Sequence, residues 1–131
     1  MTAFSNYLEQ QIVEHFLRNN GITSPTTVYL ALFESDPGED GSGTETSYTN
    51  YARLAATWTA LDGSGQTQNT GSISFAANGN ASASVTITHA AIFDALTTGN
   101  MLLYGPLATS KVLAVGDVLS FAANALTLTL N

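Results

Sequence analysis

Residues 125–130 read ALTLTL, with Leu126, Leu128 and Leu130 alternating against Thr127 and Thr129. Successive strand side chains point to opposite faces, so this run predicts a strand with one face on a core and one toward solvent. Its place at the end of the sequence leads us to expect a C-terminus held in a sheet. Working back from it, Asn124 marks a turn, VLSFA (118–122) a strand, and the Gly-Asp of AVGDV (114–118) another turn. MLLYGPL (101–107) is a further strand. SISFA (72–76) and ASVTITH (83–89) flank an Asn-Gly-Asn turn and read as two short strands on either side of it. In YARLAATWTA (51–60), alternation places Leu54, Ala56 and Trp58 inward and Arg53, Thr57 and Thr59 outward. TTVYLALF (26–33) differs, because Val28, Leu30 and Leu32 share one face and Tyr29, Ala31 and Phe33 the other. Apolar residues on both faces predict a strand covered on both sides.

The opening segment changes period. Leu8, Ile12, Val13, Phe16 and Leu17 fall on one arc at helical spacing, with Gln10, Gln11, Glu14, His15 and Arg18 on the other. Asn6 and Glu9 have capping-box spacing. Glu14 and Arg18 are four apart in the favourable order, and Gly21 offers a left-handed stop. The fold class expected is mainly β: an antiparallel β-sandwich of about seven strands with one N-terminal amphipathic α-helix. One domain spans 1–131, with the helix over 4–20 and the sandwich over 26–131. The apolar arc of the helix either covers an open face of the sheet or mediates assembly, and sheet cover is the weightier expectation. Segments 34–50 and 62–71, rich in Gly, Ser, Thr and acidic residues, read as loops.

Charged residues are 10% of the chain, against about 25% in typical soluble proteins. A surface with so few charges suits one covered in an assembly, and equally a Thr/Ser-rich β protein. The net charge is −7, and the three cations Arg18, Arg53 and Lys111 are scattered. Neutralising several phosphates needs more than that, so nucleic acid and anionic membranes are disfavoured as partners. The absence of cysteine excludes disulfides and thiolate chemistry. The N-terminus lacks the basic region and apolar run of a secretory signal, and no stretch is apolar enough for a membrane span. The expectation is synthesis in a cytoplasm and a product that stays soluble or joins a particle.

Candidate chemistry centres on HAAIFDALTTGN (89–100), where His89 precedes Asp94 by five residues. An odd offset in an extended run puts the two on opposite faces. No nucleophile elbow accompanies them. His89 then reads as a polar residue at a strand end, and Asp94 as a turn cap. The acidic residues Asp36, Glu39, Asp40 and Glu45 are hard oxygen ligands, but SDPGEDGSGTE (35–45) lacks EF-hand spacing and reads as a solvated, mobile loop. The glycines of 38–43 lack the strand-to-helix context of a phosphate loop. No catalytic, cofactor or metal residue is expected.

Four segments together resemble a family of small tailed-bacteriophage proteins commonly labelled tail fibre proteins. They are YLEQQIVEHFL (7–17), TTVYLALF with its Asp-Pro loop, GTETSYTNYARLAATW (43–58), and 91–131, including LATSKVLAVGDVLSFAANALTLTL. Two departures stand out. NASASVTITHA (80–90) lacks a Trp-Gly common in the family, and Asn124 replaces a turn glycine, a substitution the left-handed conformation tolerates. The resemblance implies a virion component. Without heptads or repeats for a shaft, it implies a capsid cement or decoration protein on the capsid exterior. Such a protein would bind the major capsid protein, bridge neighbouring subunits and form a dimer or trimer. A tail, neck or fibre-associated component is the alternative. The expected contacts are Phe4, Tyr7, Gln11 and His15 on the helix, the aromatic pair Tyr48 and Tyr51, and Glu39 and Asp40 on the acidic loop.

Overall fold

The computed structural model describes residues 3–130. In chain order these form β1 (Ala3–Phe4), α1 (Asn6–Arg18), β2 (Val28–Phe33), β3 (Leu54–Ala56), β4 (Gln66–Gln68), β5 (Ile73–Ser74), β6 (Val85–Phe93), β7 (Met101–Leu113), β8 (Ser120–Phe121) and β9 (Thr127–Thr129). Five strands make one sheet in the order β1-β7-β6-β2-β3, with every pairing antiparallel. Two short antiparallel ribbons, β4–β9 and β5–β8, form the second layer. The protein is mainly β with one helix, as the sequence indicates. The strands number nine among the described residues instead of about seven, and three of them have two residues each.

The main core lies between the large sheet and the ribbons. Leu30, Leu32, Ile87, Ala90 and Ile92 of the sheet meet Ile73, Phe75, Leu119, Leu126 and Leu128 of the second layer. The ALTLTL alternation holds at Leu126 and Leu128, which are buried, while Thr127, Thr129 and the last leucine, Leu130, are half-buried. β2 is covered on both faces. Its second face carries Ala31 and Phe33, which cluster with Ala91, Phe93, Met101 and the half-buried Tyr104.

Segment 34–47 closes over that second face, contrary to the mobile loop expected. Glu34 N–H donates to Thr44 O (2.8 Å), Thr46 N–H to Leu32 O (2.9 Å) and Gly43 N–H to Pro37 O (3.2 Å). Pro37 is buried, and the chain doubles back so closely that a Cβ on Gly43 would lie 2.3 Å from Asp36 O. An apolar surface on the sheet explains why polar loop residues fold back: covering Phe33 and Phe93 removes aromatic area from water.

Several local expectations change for identifiable reasons. Ser5 caps the helix in place of Asn6, its Oγ accepting from Leu8 N–H at 3.1 Å. Phe4 is held extended opposite Leu103, outside the helix. Asn6 instead donates its N–H to Glu39 O at 3.0 Å. At the other end Asn19, with φ 57°, takes the left-handed position assigned to Gly21. Segments 72–76 and 83–89 do not pair with each other: β5 takes β8, and β6 takes β2 and β7. Asn78, which looks like a turn residue, is buried and donates to Ala83 O (3.1 Å) and Leu113 O (2.9 Å). Segment 62–71 contains β4, the partner of β9. Arg53, read as outward, is 9% exposed and sits on the second face.

Candidate interaction surface

The most concentrated polar chemistry surrounds Arg53. Its Nε and Nη2 donate to Glu45 Oε1 and Oε2, both at 2.8 Å, and its Nη1 donates to Ala95 O (3.0 Å) and Thr98 O (2.7 Å). The guanidinium carbon lies 3.6 Å from the centroid of the Phe93 ring. Tyr51 O–H donates to Glu45 Oε1 (2.8 Å) and accepts from Leu32 N–H (3.0 Å). Burial pushes the Tyr51 hydroxyl far above its ordinary range, so it stays protonated and keeps donating. Each group here answers another, and together they tie segments 45, 51–53 and 95–98 into one staple.

His89 and Asp94 do not meet. β6 runs straight through His89 rather than ending there, and His89 pairs across the sheet with Phe33 and Pro106. Its Nδ1 lies 2.8 Å from Thr88 Oγ1, and its Nε2 lies 4.0 Å from Asp36. Asp94 caps the β6–β7 turn, with Oδ1 accepting from Asn100 N–H (2.7 Å) and Oδ2 from Asn100 Nδ2 (2.9 Å). In the acidic segment, Asp36 accepts from Gly38 N–H (2.9 Å) and Asp40 from Ser42 N–H (3.0 Å). The Ser42 hydrogen bonds hold the Asp40 carboxyl below its usual range. Among the described residues, no group of three or more His, Cys, Asp or Glu is placed to hold a metal ion.

The anticipated contact residues separate into two sets. Tyr48 is 4% exposed and donates to Ala76 O at 3.0 Å, and Tyr51 packs against the same core. Tyr48 offers no outer surface, whereas Tyr51 is half-buried and lines a hollow with Ala52 and Leu96. The spacing shows alternation but not that the 48–51 turn points its rings inward, where Tyr51 lies parallel to Phe75 at 6.1 Å. Phe4 is half-buried in β1. Tyr7, Glu39 and Asp40 surround one hollow of about 320 Å³ beside Met101, and Tyr7 and Gln11 a second of about 360 Å³ beside Ile22 and Pro25. His15 is exposed, edge-on to Phe16 with ring centroids 4.8 Å apart.

The larger feature lies outside those expected contacts. α1 rests on β1 and β7, and Tyr7, Leu8, Gln11 and Ile12 are half-buried. The other half of the apolar arc faces outward: Val13 is 45%, Phe16 74% and Leu17 78% exposed. No residue of α1 is buried, so the arc does not serve as a lid on the sheet. From 13 to 27 every residue except Glu14 is exposed. The end of the helix and its connection to β2 therefore form an arm with an uncovered apolar stripe. Helical periodicity alone could have flagged it, because the arc is broad and one sheet edge covers only part of it. A second exposed apolar group, Val112, Val115 and Val118, lies at the far end of β7.

No curated protein matches the chain. A family described as "Podophage GP4 fiber I protein gp80" matches residues 3–129. With nearly the whole chain matched, the protein belongs to this podophage fibre I family of phage structural proteins.

Proposed function

We propose that the protein is a compact subunit of a fibre-type appendage on the exterior of the phage particle, acting through surface contacts with no reacting group. The observation that carries this reading is the family match over residues 3–129. The uncovered stripe of Val13, Phe16 and Leu17 supports it, because contiguous exposed apolar surface marks an interaction site. A subunit that binds only the assembled particle stabilises it by mass action, and repetition at symmetry-related positions turns a modest contact into firm attachment.

A second reading, cement on the capsid exterior bridging copies of the major capsid protein, is favoured by shape. The described residues form a two-layer β body with a short arm and no coiled coil. A cryo-EM reconstruction of intact particles separates the two. Density fitting this fold in an appendage at the neck or tail is the expected result. Density on the capsid lattice would replace the fibre reading with the cement reading. Particles that carry the fold nowhere would overturn both.

A further inference from the structure

β7 joins two surfaces that complement each other. Its first residues pair with β1 and support α1. Residues 106–111, further along the same 13-residue strand, lie within roughly 25 Å of the β1 pairing at Tyr104. Between Ile87↔Lys111 and His89↔Pro106 the ladder slips, so residues 107–110 of β7 stand opposite Thr88 alone. Residues of this bulged stretch line a groove of about 490 Å³ together with Phe121 and Leu126. The groove is lined mainly by apolar groups, Pro106, Leu107 and Ala108 among them, with Lys111 at its side.

The outward face of α1 has the matching chemistry. Phe16 and Leu17 project, with Val13 beside them. Glu9 lies two turns before Phe16 on the same face, about 10 Å along the axis. Charge complementarity fits a second copy of the chain as the occupant. Of the three cations, Arg18 already meets Glu14 (3.5 Å) and Arg53 meets Glu45 (2.8 Å). Lys111 alone is left without a carboxylate among the described residues, and it stands in an apolar groove.

We propose that the protein associates with itself head to tail. The Val13–Phe16–Leu17 face of one copy seats in the Pro106–Lys111 groove of the next, with Glu9 meeting Lys111. Two different surfaces make the contact heterologous, so it closes into a ring or continues as a filament according to the rotation between copies. The arm's stripe consists of three exposed apolar side chains, Val13, Phe16 and Leu17, far fewer than the roughly 20–30 residues a side of a standard interface. Each contact is therefore weak alone and forms at high concentration or on a template. The inference does not depend on where on the particle the subunit sits.

Sedimentation of the purified full chain tests it, with an arm variant (Phe16→Asp/Leu17→Asp) and a groove variant (Ala108→Glu/Lys111→Glu). All four positions are exposed, and near-UV circular dichroism verifies that each variant is folded. The unaltered chain should self-associate, and each variant alone should associate at least tenfold more weakly. Mixing the two should give a 1:1 dimer and nothing larger, because each supplies the half the other lacks. A groove variant that still self-associates, with no mixed dimer, would mean a symmetric arm-to-arm contact and overturn the proposal. An unaltered chain that stays monomeric at millimolar concentration would overturn it too.

Discussion

Replacing Arg53 by methionine is the sharpest test of what holds the second face together. The substitution keeps an unbranched apolar side chain over Phe93 but removes four hydrogen bonds, two of them to Glu45. Breaking a buried ion pair by deleting one partner costs about 3–5 kcal/mol, chiefly because the other charge is stranded. Glu45 retains 27% side-chain exposure, so water relieves part of that penalty and the low end applies. The carbonyls of Ala95 and Thr98 sit in a surface turn and recover water, which adds little. The lost cation–π contact adds about 0.5–1 kcal/mol. The expected cost is about 3.5–4 kcal/mol, or a fall of roughly 10–15 °C in melting temperature for a domain of this size. Urea unfolding with an unchanged m-value measures it. Adding Glu45→Gln to the Arg53→Met variant should recover about 1 kcal/mol or more, since it removes the stranded charge. An Arg53→Met single variant within about 0.5 kcal/mol of the unaltered protein would mean that the staple carries no net weight.

Asn69 is fully buried, accepts from Leu126 N–H (2.8 Å), and donates to Gly71 O (2.7 Å) and Ala122 O (2.9 Å). Asn69→Ala should cost about 2–3 kcal/mol in urea unfolding and loosen β9 in hydrogen exchange. Gly43→Ala, with its Cβ 2.3 Å from Asp36 O, should cost about 2 kcal/mol or more by thermal melting, and a neutral result would mean that segment 34–47 gives way easily. The carboxyl of Asp62 is held below its ordinary value by hydrogen bonds from Gln66 N–H, then from Ser64. A folded-state value below the unfolded one gives stability above about pH 4 that is lost as pH falls through the folded value. Asp62→Asn should therefore flatten the acid limb of the stability–pH curve, and an unchanged limb would show that the loop hydrogen bonds are not maintained in solution.

Alternation carries the fold reading where one face is dry and the other wet. ALTLTL and the Leu54–Ala56–Trp58 face are legible because burial acts on a period of two, and β2 is legible because both its faces are apolar. Partner choice is not legible in the same way. Segments 72–76 and 83–89 flank a good turn sequence, yet each gains more by pairing elsewhere, a decision taken by the whole core. β4 hides in QTQ, whose side chains carry no apolar signal, because β9 supplies the apolar face of that ribbon. Arg53 looks outward by alternation, and its burial depends on Glu45 and the 95–98 turn closing over it. The surface is half legible. The helical arc is plain in the sequence, but that Leu8 and Ile12 turn toward the body while Phe16 and Leu17 do not is set by where α1 meets β7. Tyr48 is misread from sequence because an aromatic residue beside a polar loop gives no indication of which way the turn faces.

A role through surface contacts at the arm requires that its apolar stripe be covered when the protein is in place on the particle. Hydroxyl-radical footprinting of Phe16 and Leu17, 74% and 78% exposed in the isolated chain, reads this out residue by residue. Heavy labelling of both is expected in dilute purified protein and strong protection in intact particles, with the buried Phe75 protected in each case. Equal labelling of Phe16 and Leu17 in the free chain and in the particle would contradict it.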